Sequence, residues 1–334
     1  MFREPIQETT TEMPIVPNSP MYQELKTKSA DELKQLRPED LAALAEDLTE
    51  VMQATNDREG IHGGSMDGTR HMKYEDKEGN TWMAKGYPAE RLHRALADEF
   101  VSGMAGKLGL STRMEAKTGV IDGEFRVLVK WAETTGSLWD ELDGNWDNPT
   151  SFVEKLTETE ILQIAQEQVL DWLTSNHDPH LGHFLRREEG GFVCIDKAQA
   201  FKYIGDRDEE LSTEYNPNGP INGFHNLNYK PAYNVVLPRV ANGKCAVSID
   251  QCWEAVQKVI DKVEAVDDNE YAESIEPYAA FRFDVIDSRE DERRGVDRKK
   301  FMKLAVDRKK NIRAAFENMY QELMQGKEKK EAAA

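Results

Sequence analysis

The amino-acid sequence predicts an α+β fold in which a small antiparallel β-sheet with one inserted helix precedes a larger, mainly helical part. In the stretch 71–85, two short strands flank an Asp-Lys-Glu-Gly-Asn turn, which is typical of a β-hairpin. Apolar residues then recur at helical spacing over 92–108 and stop at a glycine. After Leu138 the pattern is mainly helical, so the two parts are expected to form the lobes of a bilobal protein.

The same patterns predict the other elements. An Asp-Gly turn at 122–123 joins two predicted strands, 114–121 and 125–131. One face of 158–173 is apolar, which predicts a helix that leads directly into a histidine-rich loop. The remaining predicted elements are two short helices within 29–55, supported by Leu41, Leu44, Leu48 and Val51 at helical spacing, and longer helices over 249–266 and 270–281.

Four segments follow from these elements. They are a flexible arm with N-terminal helices (1–55), a small β-rich lobe (56–132), a larger helical lobe (133–290) and a charged C-terminal helix and tail (291–334). The last segment contains Val-Asp-Arg-Lys-Lys twice, starting at Val296 and at Val306. Its many charges predict a solvated surface helix that ends in a frayed tail.

Composition limits the classes of partner. The chain has 334 residues and a net charge of -19, so nucleic acid and anionic lipid surfaces would repel it. No apolar run approaches the roughly 20 residues that span a bilayer, and the N-terminus lacks a secretory signal pattern. Three cysteines, Cys194, Cys245 and Cys252, have no zinc-binding spacing. The sequence predicts a cytoplasmic protein that acts on a protein or small molecule, and it leaves the oligomeric state open.

Two carboxylates near the junction of the two parts carry the strongest functional pattern. Asp178 lies in a polar loop, and Asp196 ends a short apolar run after a Gly-Gly turn at 190–191. Phosphoryl transfer needs one carboxylate to accept the proton of the acceptor hydroxyl and another to hold the metal on the nucleotide phosphates. The order and spacing of this pair therefore favour a phosphotransferase.

Histidines in the same loop leave a second interpretation open. His177, His180 and His183 surround Asp178 and could be ligands of a metallohydrolase. Such a site needs further imidazoles downstream, and only His225 follows His183 in the chain. The histidine cluster is thus the weaker alternative.

The loop also carries a resemblance to a known family. Asn176-x-Asp178-x-His180-x-x-His183-Phe184 is similar to the Asn-x-Asp-x-His-x-x-Asn-Phe pattern of HipA-type kinases. Over 60–201 the chain resembles the protein-kinase-like superfamily, in particular its atypical branches, which include HipA-type kinases, phosphatidylinositol 3-/4-kinases and the actin-fragmin kinase. The resemblance implies a bilobal kinase-like fold, ATP as cofactor, Asp178 as the catalytic aspartate and Asp196 as a metal ligand. It also implies that His180 is a catalytic-loop residue that braces the loop, and that His183 stands at the position of a second metal ligand.

The resemblance also implies a set of nucleotide contacts. They are Gly63, Gly64 and Ser65 in a phosphate-covering turn, Lys85 as the phosphate-contacting lysine, Glu99 as its ion-pair partner, and the backbone of Lys130, Trp131 and Ala132 facing the adenine. Asp98 is the rival partner for Lys85 and would point about 100° away around the helix.

Two departures from the family pattern bear on catalysis. His183 stands where the family has a magnesium-binding asparagine, and Ala198 stands where a glycine is usual. Magnesium prefers hard oxygen ligands, so either Asp196 alone holds the metal, or manganese replaces magnesium, or activity has been lost. The sequence therefore predicts an ATP-dependent phosphotransferase with Mg²⁺ or Mn²⁺, with a catalytically impaired pseudokinase as the alternative. Transfer of AMP in place of phosphate stays open.

Overall fold

We describe the fold from a computed structural model of the chain. The structure describes residues 20–29, 32, 35–36, 40, 43–55, 70–87, 91–140, 152–176, 178–205, 210–212, 231–285 and 295–331. Gly63, Gly64 and Ser65 of the predicted phosphate-covering turn lie outside these residues, as does His177.

A five-stranded antiparallel sheet forms the first part of the molecule. Its strands are β1 (Met52–Ala54), β2 (Arg70–Asp76), β3 (Thr81–Gly86), β4 (Ala116–Ile121) and β5 (Glu124–Lys130), in the spatial order β1-β2-β3-β5-β4. The Asp76 carboxylate accepts hydrogen bonds from the Asn80 backbone and the Trp82 indole, which closes the β2–β3 turn. In the β4–β5 turn Asp122 and Gly123 both have positive φ, as a two-residue hairpin requires. Both predicted hairpins are confirmed.

One helix crosses this sheet. Helix α2 (His93–Leu108) packs against β4 and β5, and Phe100, Met104 and Leu108 are fully buried on it. It ends at Gly109, whose φ of 65° is left-handed and suits a residue without a Cβ. Long apolar side chains on a helix that covers a sheet are what make this lobe a packed unit.

The second part is mainly helical, with a three-stranded sheet at its edge. The helices are α3 (Glu158–Leu173), α4 (Ala232–Ala241), α5 (Ile249–Ala265), α6 (Asp268–Ala280), α7 (Arg298–Lys310) and α8 (Ile312–Glu331). The small sheet pairs β6 (Thr134–Ser137), β7 (Phe184–Arg187) and β8 (Phe192–Cys194) in antiparallel order. Helix α3 begins with a capping box in which Thr157 and Glu160 bond each other's backbone amides. The predicted α+β arrangement, a small sheet lobe with one helix and a larger helical lobe, is confirmed.

The N-terminal boundary differs from the prediction. Strand β1 pairs with β2, so the sheet begins before residue 56, and α1 (Pro20–Thr27) buries Met21 and Leu25 in the main core. No helix includes Leu48: its N–H donates to the Val120 carbonyl, and its side chain packs against Gly119. Residues 40, 43 and 44 are helical, but the apolar spacing that suggested a helix at Leu48 and Val51 reflects burial beside the sheet.

The C-terminal segment was predicted to be solvated, and that prediction is wrong for α7 and the first part of α8. Phe301, Ile312 and Phe316 have no solvent exposure, and Tyr320 is 1% exposed. These side chains face helices α3, α5, α6 and the core. Most of the lysines and arginines of the same helices are partly or fully exposed to solvent. Among so many charged residues the apolar face of these helices is not evident from the sequence, and it becomes clear only from how the helices pack. Within the described ranges no helix is both long and apolar enough to cross a membrane.

Candidate functional site

Lys85 is the cation at the junction of the two parts. It lies on β3, is 4% exposed, and its Nζ lies 3.4 Å from Asp98 Oδ2 on α2 and 3.2 Å from Asp196 Oδ1. The predicted pair between Lys85 and Glu99 is wrong, and the rival Asp98 is the partner. The reason is the rotation of α2 about its own axis, which directs Asp98 toward β3 and Glu99 toward β4.

Glu99 instead bonds a threonine. Its Oε2 accepts from the Thr118 hydroxyl at 2.7 Å and its Oε1 from the Thr118 N–H at 3.3 Å. The side chain is fully buried, and among the described residues no lysine or arginine pairs with it. Burial raises the pKa of Glu99 to about 7, although the two hydrogen bonds from Thr118 act in the opposite direction. Glu99 thus braces α2 on the sheet.

Burial and charge set the ionisation of the three groups around Lys85. Burial raises the pKa of Asp98, and the positive charge of Lys85 only partly offsets this. Removal from water opposes the charged forms of Lys85 and Asp196 as well, but their mutual attraction wins. The pKa of Lys85 is raised and that of Asp196 is held below its usual range, so both are charged near neutral pH. The Tyr87 hydroxyl also donates to Asp98.

Backbone contacts bring the loop of Asp178 to Asp196. Helix α3 ends at Leu173, and the loop that follows turns back through Ser175, which has a φ of 46°. The Ile195 N–H donates to the His183 carbonyl at 3.0 Å, so the segment after β8 runs beside the loop. Asp196 itself has a φ of 59°, a left-handed conformation that aspartate tolerates better than most residues. The two predicted carboxylates therefore lie in adjoining segments.

His183 connects these two aspartates. Its Nδ1 lies 2.7 Å from the carbonyl oxygen of Asp178, and its Nε2 lies 3.8 Å from Asp196 Oδ2. A carbonyl oxygen can only accept, so Nδ1 carries the proton and the Nε2 lone pair faces Asp196 in the neutral ring. This hydrogen bond orients an imidazole as outer-shell partners do at metal sites.

His180 has the opposite arrangement. Its Nδ1 accepts from the Gly182 N–H at 3.0 Å, so its ring proton is on Nε2, 3.8 Å from Asp178 Oδ1. The ring packs against Trp139 and lies 3.8 Å from the His183 ring, centroid to centroid. Burial, followed by the nearby His183, lowers the pKa of His180 to about 3. His180 was predicted as a catalytic residue that braces the loop, and its contacts fit the bracing role.

These protonation states decide which groups can bind a metal. Asp178, His180 and His183 offer ligand atoms within 4.8 Å of one another. His180 fits poorly, because its Nδ1 lone pair is engaged and its Nε2 is protonated. His183 and Asp196 fit well, since each presents a free lone pair to the space between them. The histidine cluster of a zinc hydrolase thus lacks one of its imidazoles.

A second buried lysine lies next to Asp196. Lys197 Nζ lies 2.6 Å from Glu167 Oε1 and 2.7 Å from Asp171 Oδ1, both on α3. The same Asp171 oxygen accepts from Asn176 Nδ2 at 2.7 Å, and Asn176 Oδ1 accepts from the Asp178 N–H at 3.3 Å. Asp171 therefore joins the loop of Asp178 to the residue after Asp196. The network was not predicted from the sequence, where its trace is the pair Glu167 and Asp171, four residues apart on a helix with one apolar face.

The predicted adenine-facing backbone has fewer free donors than expected. The Lys130 N–H donates to the Glu115 carbonyl and the Trp131 N–H to the Thr81 carbonyl, so both are used within the protein. Ala132 is left as the donor of this stretch. Residues 130–133 border a cavity of about 500 Å³ whose wall also includes Met114 and Val193. Lys85 and Asp196 do not line that cavity.

Comparisons show that the fold of this chain is similar to those of solved structures of other proteins. No protein-family model and no curated protein sequence matches the chain. Among solved structures, the chain is similar to the crystal structure of a Helicobacter pylori proinflammatory kinase, CtkA. The two are 14% identical, the likeness covers 85% of this chain and 98% of that chain, and the TM-score is 0.47. Values this low do not carry the activity of that kinase over to this chain.

Proposed function

We propose that the chain is an ATP-dependent phosphotransferase of the atypical kinase type that uses a divalent cation, Mg²⁺ or Mn²⁺. The observation that carries the proposal is the contact of 3.2 Å between Lys85 Nζ and Asp196 Oδ1, which joins β3 to the segment after β8. Through His183 this pair adjoins Asp178. A lysine, a metal-binding carboxylate and a second carboxylate are the groups that phosphoryl transfer requires.

Each residue has a role that its surroundings support. Lys85 neutralises phosphate charge, and Asp98 holds its ammonium group in place from α2. Asp178 has a 28% exposed side chain, so an acceptor hydroxyl can reach it and give up its proton there. Asp196 and His183 would hold the divalent cation, which would supply positive charge against the nucleotide phosphates.

The negative charge of the site favours binding of a divalent cation. Lys85 faces Asp98 and Asp196, and Asp178 adds a third carboxylate nearby. A polyphosphate would add several more negative charges, and repulsion between like charges is strong where water is partly excluded. A divalent cation held by Asp196 would relieve that repulsion.

Thermal unfolding with a non-hydrolysable ATP analogue tests the proposal. The wild-type chain should unfold at a higher temperature when the analogue and Mg²⁺ or Mn²⁺ are both present. A ligand at 100 times its Kd stabilises the folded state by about 2.7 kcal/mol. Asp196→Asn should lose this increase, and Asp261→Asn, at an exposed carboxylate on α5, should keep it.

The other functions considered give different outcomes. A rise that needs no metal and survives Asp196→Asn would favour a nucleotide-binding pseudokinase, an alternative supported by His183 and Ala198. Stabilisation by Zn²⁺ alone, without nucleotide, would favour the metallohydrolase. If neither nucleotide nor metal changes the unfolding temperature, the proposal is wrong.

The acceptor is expected to be a hydroxyl of a protein or a small molecule, because the net charge of -19 disfavours nucleic acid and anionic membranes. ATP labelled at the γ- or at the α-phosphate separates the two forms of transfer. Label from the γ-position in the acceptor indicates phosphoryl transfer, and label from the α-position indicates AMP transfer.

A further inference from the structure

The hydrogen bond that fixes His183 leads to an inference about the metal. Because His183 Nδ1–H donates to the Asp178 carbonyl oxygen, the Nε2 lone pair is directed to the side where Asp196 lies. The bond length of 2.7 Å is typical of a firm hydrogen bond, so the ring is held in this orientation. The loop thus offers the cation a nitrogen ligand, whereas an amide oxygen at the same position would suit magnesium better.

We propose that the site selects Mn²⁺ over Mg²⁺, with His183 Nε2 and an Asp196 carboxylate oxygen as its protein ligands. This inference rests on the proposed function in one respect: nucleotide phosphates would supply the remaining ligands of the ion. Magnesium binds nitrogen donors weakly and requires near-ideal octahedral oxygen geometry. Divalent transition metals accept imidazole, and manganese among them also suits carboxylate and phosphate oxygens.

The geometry permits such a pair of ligands. Two donors that lie about 2.1 Å from one ion are separated by about 3 Å when they meet at a right angle. The present separation of 3.8 Å therefore closes with a small rotation of the Asp196 side chain, which is 43% exposed. The ring of His183 need not move.

His180 does not compete for this role. Its Nδ1 lone pair is engaged by the Gly182 N–H, and its Nε2 carries the proton. A metal at Nε2 would require loss of that proton while Nδ1 still accepts, which is an imidazolate. The site therefore offers one nitrogen and not two, which distinguishes it from the multi-histidine sites that bind zinc.

Electron paramagnetic resonance of Mn²⁺ tests the inference without an activity assay. The signal of the free aquo ion falls as the full-length chain binds it, which gives the Kd, and Mg²⁺ is then added as a competitor. For the wild type we expect Mn²⁺ to bind at least about tenfold more tightly than Mg²⁺. His183→Asn supplies an oxygen donor, so Mn²⁺ affinity should fall about tenfold while Mg²⁺ affinity is kept or improved.

A second histidine near the site provides the matched control. His71 lies opposite Lys85 in the β2–β3 register, and its charge acts on Asp196. His71→Asn makes the same chemical change at a nearby position and should leave the Mn²⁺ preference within about twofold of the wild type. Urea unfolding of both variants confirms that each is folded.

Three results would overturn the inference: equal binding of the two ions by the wild type, an unchanged preference in His183→Asn, or an equal loss in His71→Asn. Its failure is distinguishable from failure of the proposed function. If the ATP analogue stabilises the chain equally with either ion, the metal inference fails and the phosphotransferase proposal stands. Tight Mn²⁺ binding through His183 with no effect of any nucleotide supports the metal inference and contradicts the phosphotransferase.

Discussion

Two buried lysines adjoin Asp196, and each pairs with two carboxylates: Lys197 follows Asp196 in the chain, and Lys85 contacts its side chain. Lys197 bonds Glu167 and Asp171, whose side chains are 2% and 0% exposed. Lys85 bonds Asp98, which is 5% exposed, and Asp196, which is 43% exposed. The first set is closed to water, and the second has one side that opens to solvent.

This difference separates a structural ion pair from a candidate site. Both partners of Lys197 come from α3, so the network ties one helix to one loop. The partners of Lys85 come from α2 and from the segment after β8, so that network joins the two lobes. A charge with an open side can bind a ligand, whereas a closed set of charges can only hold the fold.

Loss of Lys197 should have the largest effect on stability. Lys197→Met keeps the approximate volume but leaves Glu167 and Asp171 buried without their cation. Removing one partner of a buried ion pair typically costs about 3–5 kcal/mol, and we expect the free energy of unfolding in urea to fall by that amount near neutral pH.

A double variant provides the control for Lys197. Asp171→Asn keeps an oxygen for Asn176 and removes one of the two uncompensated charges, so Lys197→Met/Asp171→Asn should regain at least about 1 kcal/mol over Lys197→Met. If Lys197→Met alone costs less than about 1 kcal/mol, the closed network contributes little and the comparison fails.

Glu99 shows the behaviour of a buried carboxylate without a cation. Burial raises its pKa to about 7 from the ordinary value of 4.5, so the folded state binds the proton more tightly than the unfolded chain. The stability associated with the neutral carboxyl is complete below the ordinary pKa and is lost as pH rises to about 7. Glu99→Gln mimics the neutral form, because its amide oxygen can accept from the Thr118 N–H while its amide nitrogen donates to the Thr118 hydroxyl oxygen.

We therefore expect Glu99→Gln to be more stable than the wild type by about 2–3 kcal/mol at about pH 8, and equal to it at about pH 4. Urea unfolding across this pH range provides the measurement. Glu189→Gln, at a side chain that is 72% exposed, should follow the wild-type profile throughout. A Glu99→Gln profile parallel to that of the wild type would show that Glu99 does not titrate in this range.

Loss of Lys85 should cost less than loss of Lys197. In Lys85→Met the Asp196 carboxylate can be hydrated, and Asp98, whose pKa is already raised, can take up a proton. We expect the free energy of unfolding to fall by about 1–2 kcal/mol, and the stabilisation by nucleotide and metal to disappear. A loss as large as that of Lys197→Met, with nucleotide binding intact, would exchange the roles of the two lysines.

Local patterns predicted much of the fold because they are local. The two hairpins and helix α3 depend on turn residues and on the period of apolar side chains, which the sequence contains directly. The charged C-terminal helices were misjudged because the burial of Phe301 and Phe316 depends on which helices they meet. The burial of these side chains is set by tertiary packing and does not follow from composition.

The site shows a similar division. The spacing of Asp178 and Asp196 predicted two neighbouring carboxylates, and a chain that must return through a hairpin brings them together. The choice between Asp98 and Glu99 was wrong because α2 is buried around most of its surface, so apolar spacing does not show which acid faces β3. Lys197 was missed because only the fold shows that two acids of α3 lie beside it.

Arg313 on α8 also pairs with two carboxylates, and its partners are the most exposed of the three sets compared. It pairs with Asp261 and Glu264 of α5, whose side chains are 67% and 39% exposed. Water and salt screen such pairs, so Arg313→Met should lower the free energy of unfolding by less than about 1 kcal/mol, and the difference should shrink further in about 1 M salt. Urea unfolding at low and high salt measures both effects. The loss in Lys197→Met should change much less with salt, because its partners are closed to water. A cost for Arg313→Met as large as that for Lys197→Met would show that exposure does not rank these three cations.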